Sequence, residues 1–177
     1  MALTATLNPS VFGLGGQGGI TSEDNIVFTY KMAASASLSK GDFVTLSDST
    51  NGYVSKVTAT SDSCVGVAAV SVDNTYKADG ITAGAAGDKF IGVIRQGIVE
   101  IDGLVTASTM NAAIFLDSPL YLSHANTLPV VTAGGALTAT NTGGIIVGSA
   151  IDSVPVPSAS ALYRMRVFID RLNDIVN

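Results

Sequence analysis

The feature that most constrains this chain is a series of short β-type segments, each ended by a turn signal, with no helix-length periodic stretch among them. Ile26-Val27-Phe28-Thr29-Tyr30 is β-branched and aromatic. Asp42 to Ser47 follows a Lys40-Gly41 turn, and Tyr53 to Val57 follows Asn51-Gly52, a strong short-range hairpin signal. Cys64 to Val72 continues the series, and Phe90 to Ile94 and Gly97 to Ile101 flank Arg95-Gln96. Pro119 to Leu122, Leu128 to Val131, Ile145 to Gly148 and Tyr163 to Ile169 complete it. Thr106 to Ala113 is a candidate for one short turn of helix, and Asn173 to Asn177 is too short to assign. Short strands at this spacing predict an all-β protein, a small β-barrel or sandwich.

The order of segments hints at an internal repeat. Gly41 to Ser47 resembles Ser118 to Ser123, Cys64 to Ala68 resembles Gly144 to Ala150, and Phe90 to Ile94 has its counterpart in Tyr163 to Ile169. Two similar half-units of this kind could pair into one closed barrel, which would remove exposed sheet edges. Chance similarity among Val-rich strands is the other reading.

Residues 1–25 differ from the rest. Asn8-Pro9-Ser10 and the glycines from Gly13 to Gly19 oppose any regular element, because glycine loses so much backbone freedom on ordering. They predict an extended N-terminal arm ahead of a barrel or sandwich domain over 26–177, or a disordered terminus. If the arm orders on a neighbour, its apolar residues Leu3, Leu7, Pro9, Val11, Phe12, Leu14 and Ile20 are the expected contacts.

The chain has 177 residues, enough to bury a core without a disulfide or metal staple. Its single cysteine, Cys64, precedes an apolar run and reads as a buried small hydrophobe in a protein made in a reducing interior. Only 13% of residues are charged, about half the usual share. That scarcity suggests a surface largely covered by partners. No apolar run approaches the roughly 20 residues that span a bilayer, and the N-terminus predicts no signal peptide. The net charge is −5, and Arg164, Arg166 and Arg171 form the main basic concentration. Arg164 and Arg166 share one strand face by period two, a solvated or subunit-pairing face. Without Trp or a basic stripe, no nucleic-acid surface is expected.

Candidate chemistry is sparse. Gly13-Leu14-Gly15-Gly16-Gln17-Gly18 matches a dinucleotide fingerprint in letters, yet no central strand precedes it and no helix follows. His124 stands in a hairpin-like Ser123-His124-Ala125-Asn126 turn, and there is no nucleophile elbow. One His and one Cys fall short of a zinc site. Glu100 and Asp102 share a strand face, Glu23 and Asp24 are neighbours, and Asp48 to Asn51 could hold calcium, but the EF-hand pattern is absent. The expectation is no catalytic residue, no metal and no cofactor.

Lys40-Gly41-Asp42-Phe43-Val44-Thr45-Leu46, Cys64-Val65-Gly66-Val67-Ala68, Gly87 to Val93 and Gly97-Ile98-Val99 together resemble a family of tailed-phage head proteins, the capsid decoration (cement) proteins. The resemblance covers about residues 38–170, closing with Leu120-Tyr121-Leu122 and Met165-Arg166-Val167. The chain departs from that pattern in lacking Gly-Asp before Pro119 and in carrying the Gly-rich arm. The resemblance implies a non-enzymatic β-barrel on the outer surface of a bacteriophage capsid, commonly a homotrimer at threefold or quasi-threefold positions. Its partners would be the major capsid protein and itself, with no direct nucleic acid and no membrane. A tail-tube or head-fibre subunit and a non-viral surface binding module are the alternatives.

Overall fold

The computed structural model describes residues 25–58, 62–105, 117–123, 136–139, 146–154 and 161–171, so the expected strand at Leu128 to Val131 and the short helix at Thr106 to Ala113 lie outside the described residues. Its strands are β1 (Ile26–Met32), β2 (Ser37–Leu38), β3 (Phe43–Asp48), β4 (Tyr53–Lys56), β5 (Cys64–Ala68), β6 (Val72–Asp73), β7 (Phe90–Val105), β8 (Pro119–Ser123), β9 (Ala136–Thr138), β10 (Ile146–Ala150) and β11 (Ala161–Asp170). There is no helix among the described residues, and the protein is all-β.

Nine strands form one sheet in the order β1-β4-β3-β5-β7-β11-β10-β8-β9, and additional pairings β1–β7 and β7–β9 close it twice. The first half of β7 completes a small barrel with β1, β4, β3 and β5, pairing Phe90–Gln96 with β1 and Val93–Ile94 with β5. Its second half completes another with β11, β10, β8 and β9, pairing Gln96–Val105 with β11 and Gly103 with β9. The barrel expected from the strand pattern is therefore present, but each half-unit closes on itself and the two share one strand. The runs on either side of Arg95-Gln96 are a single strand of 16 residues. The segment Cys64 to Val72 is the reverse case. It breaks after Ala68, and Val72–Asp73 leaves the sheet to pair with Ser37–Leu38.

The internal repeat holds at the level of individual backbone pairs. Phe43 and Val44 oppose Val67 and Gly66, as Pro119 and Leu120 oppose Ser149 and Gly148, and the register shifts just beyond in both. Ala68 opposes Val93 as Ala150 opposes Val167. Leu46 opposes Val54 as Leu122 opposes Leu137. Tyr30 opposes Ile91 as Ile101 opposes Met165, so β7 ends the first unit and begins the second.

The turn before the first paired strand explains the missing Gly-Asp. Gly41 N donates to Ala68 O at 2.9 Å, and Ala68 N returns a bond to Asp42 O at 2.9 Å. In the second unit Asp117 N donates to Ala150 O at 2.8 Å and Ala150 N to Ser118 O at 3.0 Å. The position needs a left-handed backbone, with φ of 91° at Gly41 and 63° at Asp117. Aspartate is one of the few non-glycine residues that tolerate it.

Each barrel has its own apolar interior. Met32, Val44, Val54, Val65, Ala68, Ile91 and Val93 fill the first, with Leu38 in the same cluster. Leu120, Leu137, Val147, Ala150, Met165 and Val167, the counterparts of Val44, Val54, Val65, Ala68, Ile91 and Val93, fill the second. The second cluster also takes in Phe43, Val57, Cys64, Val67 and Ile94, from the other face of the first barrel. Every residue of β5 is consequently buried, and a strand covered on both faces reads as a continuous apolar run.

One guanidinium stitches the junction. Arg171 is 7% exposed. Its Nε donates to Cys64 O at 2.9 Å and its Nη1 to Ile146 O at 2.7 Å. Those two carbonyls sit at matching positions beside the register shifts of the two units. Arg171 N also donates to Arg95 O at 2.7 Å, and Arg95 Nη2 donates back to Arg171 O. Arg95 stacks over the Phe28 ring, 5.6 Å from its centroid. The expected basic concentration at the end of the chain is thus divided: Arg164 and Arg166 are exposed on β11, and Arg171 is internal.

Candidate interaction surface

The positions singled out from sequence mostly have structural duties. Cys64 is buried, with Sγ 3.5 Å from Gly66 O. The Asp48 carboxylate closes its own turn, accepting from Thr50 N at 2.9 Å, Asn51 N at 3.2 Å and Asn51 Nδ2 at 2.7 Å. Those bonds, the Asn51 amide first, hold its pKa below the ordinary carboxylate value. Glu100 and Asp102 oppose Arg166 and Arg164 in backbone register across β7 and β11. Arg166 also forks onto Asp152, with Nη2 to Oδ1 at 2.6 Å and Nε to both oxygens at 3.1 Å. His124, Glu23, Asp24 and the arm residues Leu3, Leu7, Pro9, Val11, Phe12, Leu14 and Ile20 lie outside the described residues. Among the described residues no cluster of His, Cys, Asp and Glu is grouped to hold a metal ion, and no helix is long and apolar enough to cross a membrane.

The structure draws attention instead to a hairpin that sequence reading passed over. Between β5 and β7 the first unit carries residues 69–89, where the second has the shorter 151–160. The base of this excursion is fixed by Asn74, whose side chain is buried and donates to Ala33 O at 2.9 Å and Ala85 O at 3.0 Å. Above it Tyr76 bridges Ala83, and Lys77 N donates to Thr82 O at 2.8 Å. The tip turns at Asp79-Gly80. Asp79 accepts from Ile81 N at 3.0 Å, Thr82 N at 2.9 Å and Thr82 Oγ1 at 2.5 Å. Lys89 Nζ reaches Asp73 O and, at 3.3 Å, Tyr76 O.

This framework presents apolar side chains to solvent. Ile81 is 84% exposed, Tyr76 51%, and Phe90, at the start of β7, 55%. Large side chains held out on a hydrogen-bonded hairpin lose little conformational freedom on docking, which suits a protein contact. The signal available in the sequence was Asp79-Gly80 between Tyr76-Lys77 and Ile81-Thr82.

Hydrogen bonding, with the Thr82 hydroxyl the largest contributor, depresses the Asp79 pKa from 3.8 to about 2. A carboxylate depressed in the folded state favours the ordered turn above its unfolded pKa, and that contribution is lost as pH falls through the folded one. The tip should therefore be fully ordered above the ordinary 3.8 and should loosen toward pH 2. The amide resonances of Ile81 and Thr82 followed by NMR between those limits check this. Shifts that do not move over that range would contradict it.

Compared with protein-family models and with curated proteins, the sequence matches none.

Proposed function

We propose that the protein is a non-enzymatic structural component of a tailed-phage head, decorating and stabilising the outer surface of the capsid. The observation that carries this reading is the Gly-Asp-strand, Val-Gly-strand and closing-strand sequence that resembles the decoration proteins. Two further observations support it. A sheet closed twice on itself offers few unpaired edges for aggregation when many copies crowd one shell. A low share of charge, with rigidly presented apolar side chains, suits a protein whose task is contact area and complementarity. In this reading the partners are the major capsid protein and further copies of the chain, in a homotrimer at threefold or quasi-threefold positions, and the arm over Leu3 to Asn25 adds shell contact. Neither nucleic acid nor membrane is touched.

Co-sedimentation with purified heads tests it. The full chain should pellet with shells to a saturating copy number, and a variant starting at Asn25 should lose most of that binding. Saturable binding that survives deletion of the arm would remove the arm from the interface. No saturable binding by the full chain would overturn the head assignment.

A further inference from the structure

The paired strands of the two units match position by position, and among the described residues two differences between the units bear on their surfaces. The first is the 76–83 hairpin, carried by the first unit. The second is a face. In the first unit Phe43, Cys64, Val67 and Ile94 are buried within the cluster that contains the second barrel's core. Their counterparts Pro119, Ile146, Ser149 and Phe168 line an open recess of about 390 Å³, with Asp117 and Asp170 also in its wall. Ile146 is 49% exposed there. Among the described residues this face is covered in the first unit and open in the second.

We propose that the open recess receives the Tyr76–Ala83 hairpin of a second copy of the chain, joining copies head to tail. The chemistry of the two surfaces matches. The hairpin offers Ile81 and Tyr76 as apolar anchors, with Lys77 beside them, its Nζ only loosely engaged 3.9 Å from Asp88. The recess offers Ile146, Pro119 and Phe168, with the acidic Asp117 and Asp170 to meet that lysine. Both surfaces carry exposed apolar side chains, Ile81 and Ile146, so a second copy can supply the occupant. Hairpin and recess are different patches, which makes the contact heterologous: a ring if the rotation closes, a filament if it does not. The inference deepens the self-association in the proposed function and rests on that part of it, not on the shell.

Sedimentation velocity over a range of concentrations is the first test. The wild-type chain should associate reversibly, and Ile81→Asp should raise the dissociation constant about tenfold or more, as loss of a central apolar anchor does. Ile81 is largely exposed, so unchanged circular dichroism should show that the variant still folds. The second test mixes two single variants, Ile81→Cys and Ser149→Cys. The native Cys64 is buried, and oxidation should give the mixed disulfide dimer faster than either variant alone gives its own. A chain that is monomeric throughout, association indifferent to Ile81→Asp, or no preference for the mixed dimer would each overturn the proposal. Shell pelleting of the same variants separates the readings. Binding to heads without self-association leaves the capsid role standing and removes this contact, and the converse removes the capsid role alone.

Discussion

Replacing Arg171 with methionine should cost about 3 kcal/mol of stability, because it leaves carbonyl acceptors in a buried site without their charged donor. The acceptors are Cys64 O from the first unit and Ile146 O from the second, at 2.9 and 2.7 Å from the guanidinium. Methionine fills similar volume, so the loss reports on hydrogen bonding more than on a cavity. Arg171→Lys should recover only part of it, since an ammonium on a flexible stem does not reproduce the planar fork that reaches two carbonyls at once. Urea unfolding followed by circular dichroism and by tyrosine fluorescence checks this. The clamp joins the barrels, so the methionine variant should also show the two probes separating, with a shallower apparent slope. A midpoint shift worth less than about 1 kcal/mol would mean that solvent serves those carbonyls without Arg171.

Arg171 also marks where sequence reading stops. In the chain it stands near Arg164 and Arg166 and carries no pattern that separates a buried guanidinium from two exposed ones. Its role arises from bringing together carbonyls that are far apart in sequence, and only the closed topology does that. The strands themselves were legible where local chemistry decides them. The Asn51-Gly52 hairpin joins β3 to β4, and the alternation in Met165, Val167 and Ile169 places those residues inward. Phe90 to Ile94 and Gly97 to Ile101 read as two runs flanking the polar Arg95-Gln96, whereas they belong to one strand. In the fold those two residues are where the strand passes from one barrel to the other, and Arg95 reaches Arg171 O through Nη2 while its guanidinium lies over Phe28. Ser37–Leu38 and Val72–Asp73 are too short to signal anything and exist because Leu38 is drawn into the first core. The repeat was visible but its consequence was not. The letters suggest two halves of one barrel, whereas the shared β7 lets each half close alone.

Gly66→Ala and Gly148→Ala should each destabilise the protein by about 3 kcal/mol, near the upper end for overpacking at a site that cannot relax. A methyl group added to Gly66 would lie 2.2 Å from Ile94 O and 2.8 Å from a Val93 methyl. One added to Gly148 would lie 2.0 Å from Phe168 O. Ile94 and Phe168 are themselves counterparts, so the same close approach of backbone to backbone recurs in both units. Both glycines sit at the register shift where a strand bends to close a small ring, and a bulge of this kind leaves room for hydrogen alone. For a domain of this size the effect amounts to a melting temperature lower by about 6–12 °C in each variant. Gly52→Ala is the comparison: its φ is +68° but nothing lies within 4 Å, so only the left-handed backbone is strained, at about 1 kcal/mol. Large losses at both 66 and 148 with a small one at 52 would mean that the Val-Gly element is a closure device used twice. A neutral Gly148→Ala would mean that the second barrel closes by other means, and the match between the units would then be one of strand order without shared mechanics.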